Sequence, residues 1–261
     1  MSTRMPTLFV GHGTPMNTLE RNVNSDAWRR IAADLPHPEA ILAISAHWYA
    51  PGLAVTATDQ PATLHDFSGF PRELFEFRYP APGDPALAER VRELLAPLPV
   101  ASDLEWGLDH GTWSVLAHLY PGADIPVVHL SLDSTRPPAW HADVARRLAP
   151  LRDEGVLILG SGNVVHNLRR MDLARPESVF GWAERFSAEV SQALLAGNLA
   201  ALVDFVSEEA PREEVRLAVP TPEHYLPLIY VAAQQREDDP IRLFNDRIEY
   251  GSIGMLCCRV G

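Results

Sequence analysis

Lysine is absent from this chain, and all 22 basic residues are arginine. That excludes Schiff-base nucleophiles, pyridoxal phosphate anchors and the lysine of a phosphate-binding loop. Cysteine is nearly absent. The only two, Cys257 and Cys258, are adjacent, so they make poor disulfide partners and no C-x-x-C metal knuckle. They follow Ile253, Met255 and Leu256 in what reads as a final buried strand, so any metal here is held by nitrogen and oxygen. No apolar run approaches the ~18 residues of a membrane span, and no basic region followed by an apolar stretch opens the chain. A cytoplasmic protein without membrane contact is the expectation. The net charge of −12 is the opposite of the basic stripe that phosphate backbones require, so no nucleic-acid partner is expected.

What is present is ample core material, with 46% of the residues apolar. They are spread without a composition break, a repeat or a linker, which reads as one domain over residues 1–261. Short apolar runs bounded by Gly or Pro alternate with amphipathic stretches. This pattern predicts an α/β fold with a mostly parallel central sheet flanked by helices. Asp84 is placed to cap a helix that begins at Pro85. The segment Asp109 to Trp113 opens a further helix, and another is predicted from near Pro222 through Val231. Ile241 to Phe244 and Ile253 to Cys258 read as closing strands at an edge.

Four histidines lie where apolar strands run out: His12 after Thr7 to Gly11, His47 after Ile41 to Ala46, His129 after Pro126 to Val128, and His166 beyond Val156 to Leu159. In open parallel sheets ligands collect beyond the carboxyl ends of the strands, so imidazoles far apart in sequence converge there and a metal site is expected at that rim. His224, in Pro222-Glu223-His224-Tyr225-Leu226-Pro227, is turned inward by a kinked helix entry, with Glu223 beside it as a competing oxygen ligand. His110 precedes a glycine that permits close approach to the backbone. His129 reads equally as a buried histidine with a carbonyl partner. His65 either covers a planar ligand or is solvated, and His37, His118 and His141 read as structural. Nitrogen and oxygen donors without thiolate suit Zn(II), Fe(II) or Mn(II). Three protein ligands with open positions describe a catalytic centre. Trp48, Trp113 and the aromatic loop from His65 to Tyr79 favour a planar substrate.

Several blocks resemble a known family. They are Gly11-His12-Gly13-Thr14-Pro15-Met16, Ile44-Ser45-Ala46-His47-Trp48, Tyr79-Pro80-Ala81-Pro82-Gly83, Leu108-Asp109-His110-Gly111-Thr112-Trp113, Gly160-Ser161-Gly162-Asn163-Val164-Val165-His166-Asn167-Leu168 and Pro222-Glu223-His224-Tyr225-Leu226-Pro227. In order and extent they are similar to the class III extradiol ring-cleavage dioxygenases, in the DOPA 4,5-dioxygenase-like branch. The resemblance implies a non-haem Fe(II) enzyme that opens a catechol beside its two hydroxyls with O2, giving a semialdehyde, and Zn(II) is possible in the same site. It implies His12, His47 and His224 as metal ligands, with Glu223 the alternative third. It implies His166 as the acid–base group beside the metal, with service as a ligand the alternative. His110 is expected to act in catalysis by hydrogen-bonding a substrate hydroxyl, with Asp109 fixing its tautomer, and His129 and Trp113 are expected at the substrate. The same imidazoles would also serve a zinc-dependent hydrolase, and a non-catalytic binding protein on this scaffold is the remaining reading.

Overall fold

Near-continuous apolar runs bury both faces of a sheet, and the strands here do so by strict alternation. The computed structural model describes residues 4–207 and 212–261. Its central sheet has six strands in the spatial order Val127–His129, Ala40–Ser45, Val156–Gly162, Thr7–Gly11, Cys257–Val260 and Ile241–Phe244. The first four run parallel, and the last two join antiparallel. The fold is a single α/β domain with a mostly parallel sheet.

Along the strands, Phe9, Leu42, Ile44 and Ile158 point to one face. There they meet Phe186 and Val190 of the Gly181–Leu195 helix, Val144 of the Pro138–Arg147 helix, and most of the Leu226–Ala232 helix. Leu8, Val10, Ile41, Ala43, Leu157 and Leu159 point to the other face, against Trp28 and Ile31 of the Val23–Ala33 helix and Trp113, Val115 and Leu116 of the His110–Leu119 helix. Helices cover both faces, which leaves the ends of the strands as the place for a site. No helix among the described residues is long and apolar enough to cross a membrane.

Local chemistry accounts for the element starts. Asp84 accepts hydrogen bonds from the backbone of Ala86 and Leu87, with Pro85 in the first turn. Asp109 caps the His110–Leu119 helix through Thr112 N–H at 3.1 Å. Two expectations need correction. The helix foreseen from Pro222 begins only at Leu226, because Pro220 and Pro222 hold the entry in turns, whereas Pro227 sits in the first turn where no N–H partner is lost. The closing strand is Cys257–Val260, and Ile253–Gly254 instead forms a separate two-stranded ladder with Ile248–Glu249.

Candidate active site

Parallel register brings the strand ends to one rim. Gly11 pairs with Gly162 and Ser45 pairs with Ser161. His12 therefore follows the last paired residue of its strand, and His47 follows Ser45 by a single turn. His12 is buried, and its Nε2 lies 3.2 Å from Nε2 of His47. The other ring nitrogen of His12 contacts Ser161 Oγ at 3.0 Å, and that hydroxyl donates to the carbonyl of Gly111 at 2.5 Å.

His224 arrives from a different direction. The Gly160-Ser161-Gly162 backbone is bare enough for the start of the Leu226–Ala232 helix to lie on it. A Cβ on Gly162 would stand 2.1 Å from the carbonyl oxygen of His224, and one on Gly160 would stand 2.5 Å from that of Pro227. The Asn163 N–H donates to the same His224 carbonyl at 2.8 Å. Gly162→Ala is therefore expected to push the His224 turn off the sheet and cost on the order of 3 kcal/mol, as backbone overpacking does. For a chain of this size that lowers the unfolding midpoint by roughly 6–12 °C, readable by thermal denaturation. An unchanged midpoint would mean that the close approach does not matter.

The rings of His12, His47 and His224 form a nearly equilateral triangle, with centroid separations of 5.1, 5.4 and 5.2 Å. His166 lies flat against His224, with ring centres 3.5 Å apart and planes inclined by 9°. His110 stands 3.9 Å from the His47 ring and 5.8 Å from that of His12. Two trios have ligand atoms all within 4.8 Å of one another, namely His12, His47 and His110, and His166, Glu223 and His224. All five imidazoles line one cavity of about 390 Å³, whose walls include Phe67, Phe70, Met171 and Tyr250. Glu223 does not line it. Its Oε1 accepts from Thr221 at 2.7 Å and lies 3.3 Å from Nδ1 of His224, behind that ring.

Burial governs the charge state here. It holds His12 and His224 well below the usual imidazole range, with the neighbouring imidazoles adding to the effect. Burial also pulls His47 and His166 down to about 4. Each of these four rings is neutral at pH 7, so each offers a lone pair rather than a positive charge. Together they make an uncharged nest of nitrogen donors.

Several sequence expectations lie elsewhere. His129 is fully buried and does not line the cavity. Its strand pairs with Ile41–Ala43, which sets His129 level with Ala43 and below the rim. There its Nδ1 faces Asp109 Oδ2 at 3.6 Å, and burial drops it to about 3. Trp113 is also fully buried behind the wall, donating its indole N–H to the Leu64 carbonyl at 2.8 Å. Asp109 does not reach the His110 ring. It caps the helix and accepts from Ser45 Oγ at 2.8 Å, and Asp66 holds the His110 ring instead. His65 packs within the aromatic loop against Phe67 and Trp113, and Trp48 stacks on Trp106, neither lining the cavity. His141 is buried, with its ring nitrogens on Tyr230 Oη and the Asp133 carbonyl. Asp66, Glu249 and Tyr250 at the cavity were not singled out from sequence. The only signal for Asp66 was its place in the aromatic loop.

Comparison with known proteins agrees with this arrangement. Residues 6–232 match the family described as the catalytic LigB subunit of aromatic ring-opening dioxygenase. A 4,5-DOPA dioxygenase extradiol of Escherichia coli (strain K12) is 49% identical over 264 residues, covering 100% of this chain and 96% of that one. A protein of the same name from Beta vulgaris is 37% identical, covering 94% of this chain and 92% of its own. The crystal structure of an uncharacterized Escherichia coli K12 protein superposes with a TM-score of 0.86 at 45% identity, covering 99% of this chain and 100% of that one. The chain belongs to the LigB family of aromatic ring-opening dioxygenases, as an extradiol ring-cleavage enzyme.

Proposed function

We propose that this enzyme opens a DOPA-like catechol with O2, giving a semialdehyde, on an Fe(II) ion held by His12, His47 and His224. The carrying observation is the triangle of neutral imidazoles on the floor of an aromatic-walled cavity. Imidazoles bound at ~2.1 Å place their ring centres ~4.6 Å apart on an octahedral face and ~5.3 Å apart on a tetrahedral one. The observed 5.1–5.4 Å sits close to the upper of these two values. A trio with His110 in place of His224 does not, since its separations are 3.9 and 5.8 Å. His12, His47 and His224 each rest Nδ1 against an outer partner, respectively Ser161, Asp66 and Glu223, leaving Nε2 for the ion. When bound, Fe(II) supplies a meeting point for the catechol oxygens and O2 and the redox capacity that Zn(II) lacks.

The chain's own residues do the rest. Phe67 and Phe70 flank the ring of the substrate. His166 takes a proton from a catechol hydroxyl and returns it to oxygen later in the cycle, while His110 hydrogen-bonds the second hydroxyl. Burial of the site excludes water that would compete for these contacts. The charge pattern favours an ammonium on the substrate's side chain, because among the described residues no arginine lines the cavity while Glu249 does. Asn24 and Arg247 both approach Oε1 of Glu249, at 2.9 and 3.6 Å, so the carboxylate is braced from one side.

Oxygen uptake tests this reading, with protein loaded anaerobically with Fe(II) and then given air and a panel of catechols. DOPA and dopamine are expected to consume O2 and yield a yellow product faster than 3,4-dihydroxybenzoate does. Glu249→Gln is expected to shrink that preference about 2–5-fold, the size of one partly exposed charge contact. No O2 uptake with any catechol, or zinc-dependent ester or amide hydrolysis in its place, would overturn the assignment.

A further inference from the structure

We infer that Asp66 is a positioning residue for two site imidazoles at once, fixing the tautomer and orientation of both His47 and His110. Its two carboxylate oxygens divide the work. Oδ2 lies 3.2 Å from Nδ1 of His47, and Oδ1 lies 2.9 Å from Nδ1 of His110. Oδ1 also accepts the backbone N–H of His110 at 2.9 Å. An ionised carboxylate only accepts hydrogen bonds, so both rings must carry their proton on Nδ1. The bare nitrogen of each is then Nε2, and Nε2 of His47 is the atom that faces Nε2 of His12.

Asp66 is placed to accept from both rings and from the His110 backbone at once. Its side chain is 22% exposed, sheltered enough for directional hydrogen bonds to hold against water.

The loop that carries it is not free to drift. Leu64 N–H donates to the Leu108 carbonyl at 2.7 Å, and Leu108 N–H donates back to Ala62 at 2.8 Å. The Trp113 indole adds its bond to the Leu64 carbonyl, and the Phe67 ring meets His110 edge-on at 5.5 Å. The same short segment thus sets a metal-facing ring, a substrate-facing ring and an aromatic wall. A carboxylate behind a metal-binding imidazole raises its basicity as well as its order. Here the bracing is shared with an imidazole proposed to touch the substrate, so ion affinity and substrate contact depend on one side chain.

The role of His47 as a ligand rests on the proposed function, whereas the tautomers can be read without it. Nitrogen NMR of 15N-histidine-labelled protein without metal should show His47 and His110 both protonated at Nδ1. Asp66→Asn keeps the size but has a single acceptor oxygen, so at least one of the two rings should lose its fixed tautomer. Zn(II) affinity, measured by chelator competition, should fall about 10–100-fold. Asp66→Glu keeps both acceptor oxygens and should recover most of that affinity and both Nδ1–H signals. It also serves as the second variant if the asparagine protein does not fold. Unchanged tautomers with wild-type affinity in Asp66→Asn would overturn the inference. So would equal loss in the Asn and Glu variants, the mark of a packing role alone. A wild-type protein with both tautomers fixed but no affinity for Zn(II) would sink the metal assignment and leave the tautomer role of Asp66 standing.

Discussion

His12→Ala is expected to remove both metal retention and ring cleavage while leaving the fold in place. The loss of metal affinity should exceed the ~10–100-fold that follows from losing an outer-shell partner, because a donor itself is deleted. His12 is the best-supported of the three vertices. It follows a fully paired strand, its N–H donates to the Gly162 carbonyl at 3.1 Å, and its Nδ1 is backed by Ser161. The global cost is smaller, because the ring lies at the end of the sheet and not between its faces. Removing it leaves Ser161 Oγ still donating to Gly111. Relief of crowding among neutral imidazoles offsets part of the lost packing. Metal content by elemental analysis, O2 uptake with a catechol and thermal unfolding measured on one preparation separate these effects. A variant that keeps stoichiometric metal and turnover would show that His12 is not a ligand.

How much of this centre can be read from sequence depends on which physical rule places each residue. His12, His47 and His166 follow from a local rule, since buried parallel strands end at one rim and whatever follows them is delivered there. His129 obeys the same local pattern and still misses the cavity. Its strand is paired with Ile41–Ala43, short of the rim that Ser45 and Ser161 reach, and register between strands is not written in either strand alone. His224 illustrates the opposite case. Its position depends on a helix packing over two glycines more than sixty residues away, so the glycines and the histidine only make sense together. Asp66 was hidden for another reason. It sits in an irregular loop whose course is set by hydrogen bonds to Leu108 and Trp113, and no periodicity marks such a segment. Asp109, next to His110 in sequence, looked like its natural partner. At a helix start, however, a capping side chain turns back toward the backbone of its own first turn, away from the next residue's ring. The α/β class itself was legible because alternation, apolar run length and turn residues all point the same way.

His166→Ala separates proton transfer from metal binding, and the two are expected to part clearly. Turnover should fall about 10²–10⁴-fold, the contribution typical of one positioned acid–base group, while metal content stays near that of the wild type. The geometry gives the reason. His166 and His224 are stacked face to face at 3.5 Å, and parallel stacked rings direct their nitrogen lone pairs side by side, not toward one common point. A ring so placed is poorly aimed at the ion proposed for His12, His47 and His224, yet it borders the cavity proposed to take the catechol. Its backbone is fixed independently of the ring, by an N–H bond to the Ala218 carbonyl at 2.8 Å and a bridge to Ile253. Truncation therefore removes the imidazole without moving the chain that carries it. Because Phe67, Phe70 and His110, the proposed substrate contacts, remain in the cavity wall, KM should change less than kcat. Loss of metal in His166→Ala would instead make this ring a ligand, and a large rise in KM with kcat intact would make it a binding group.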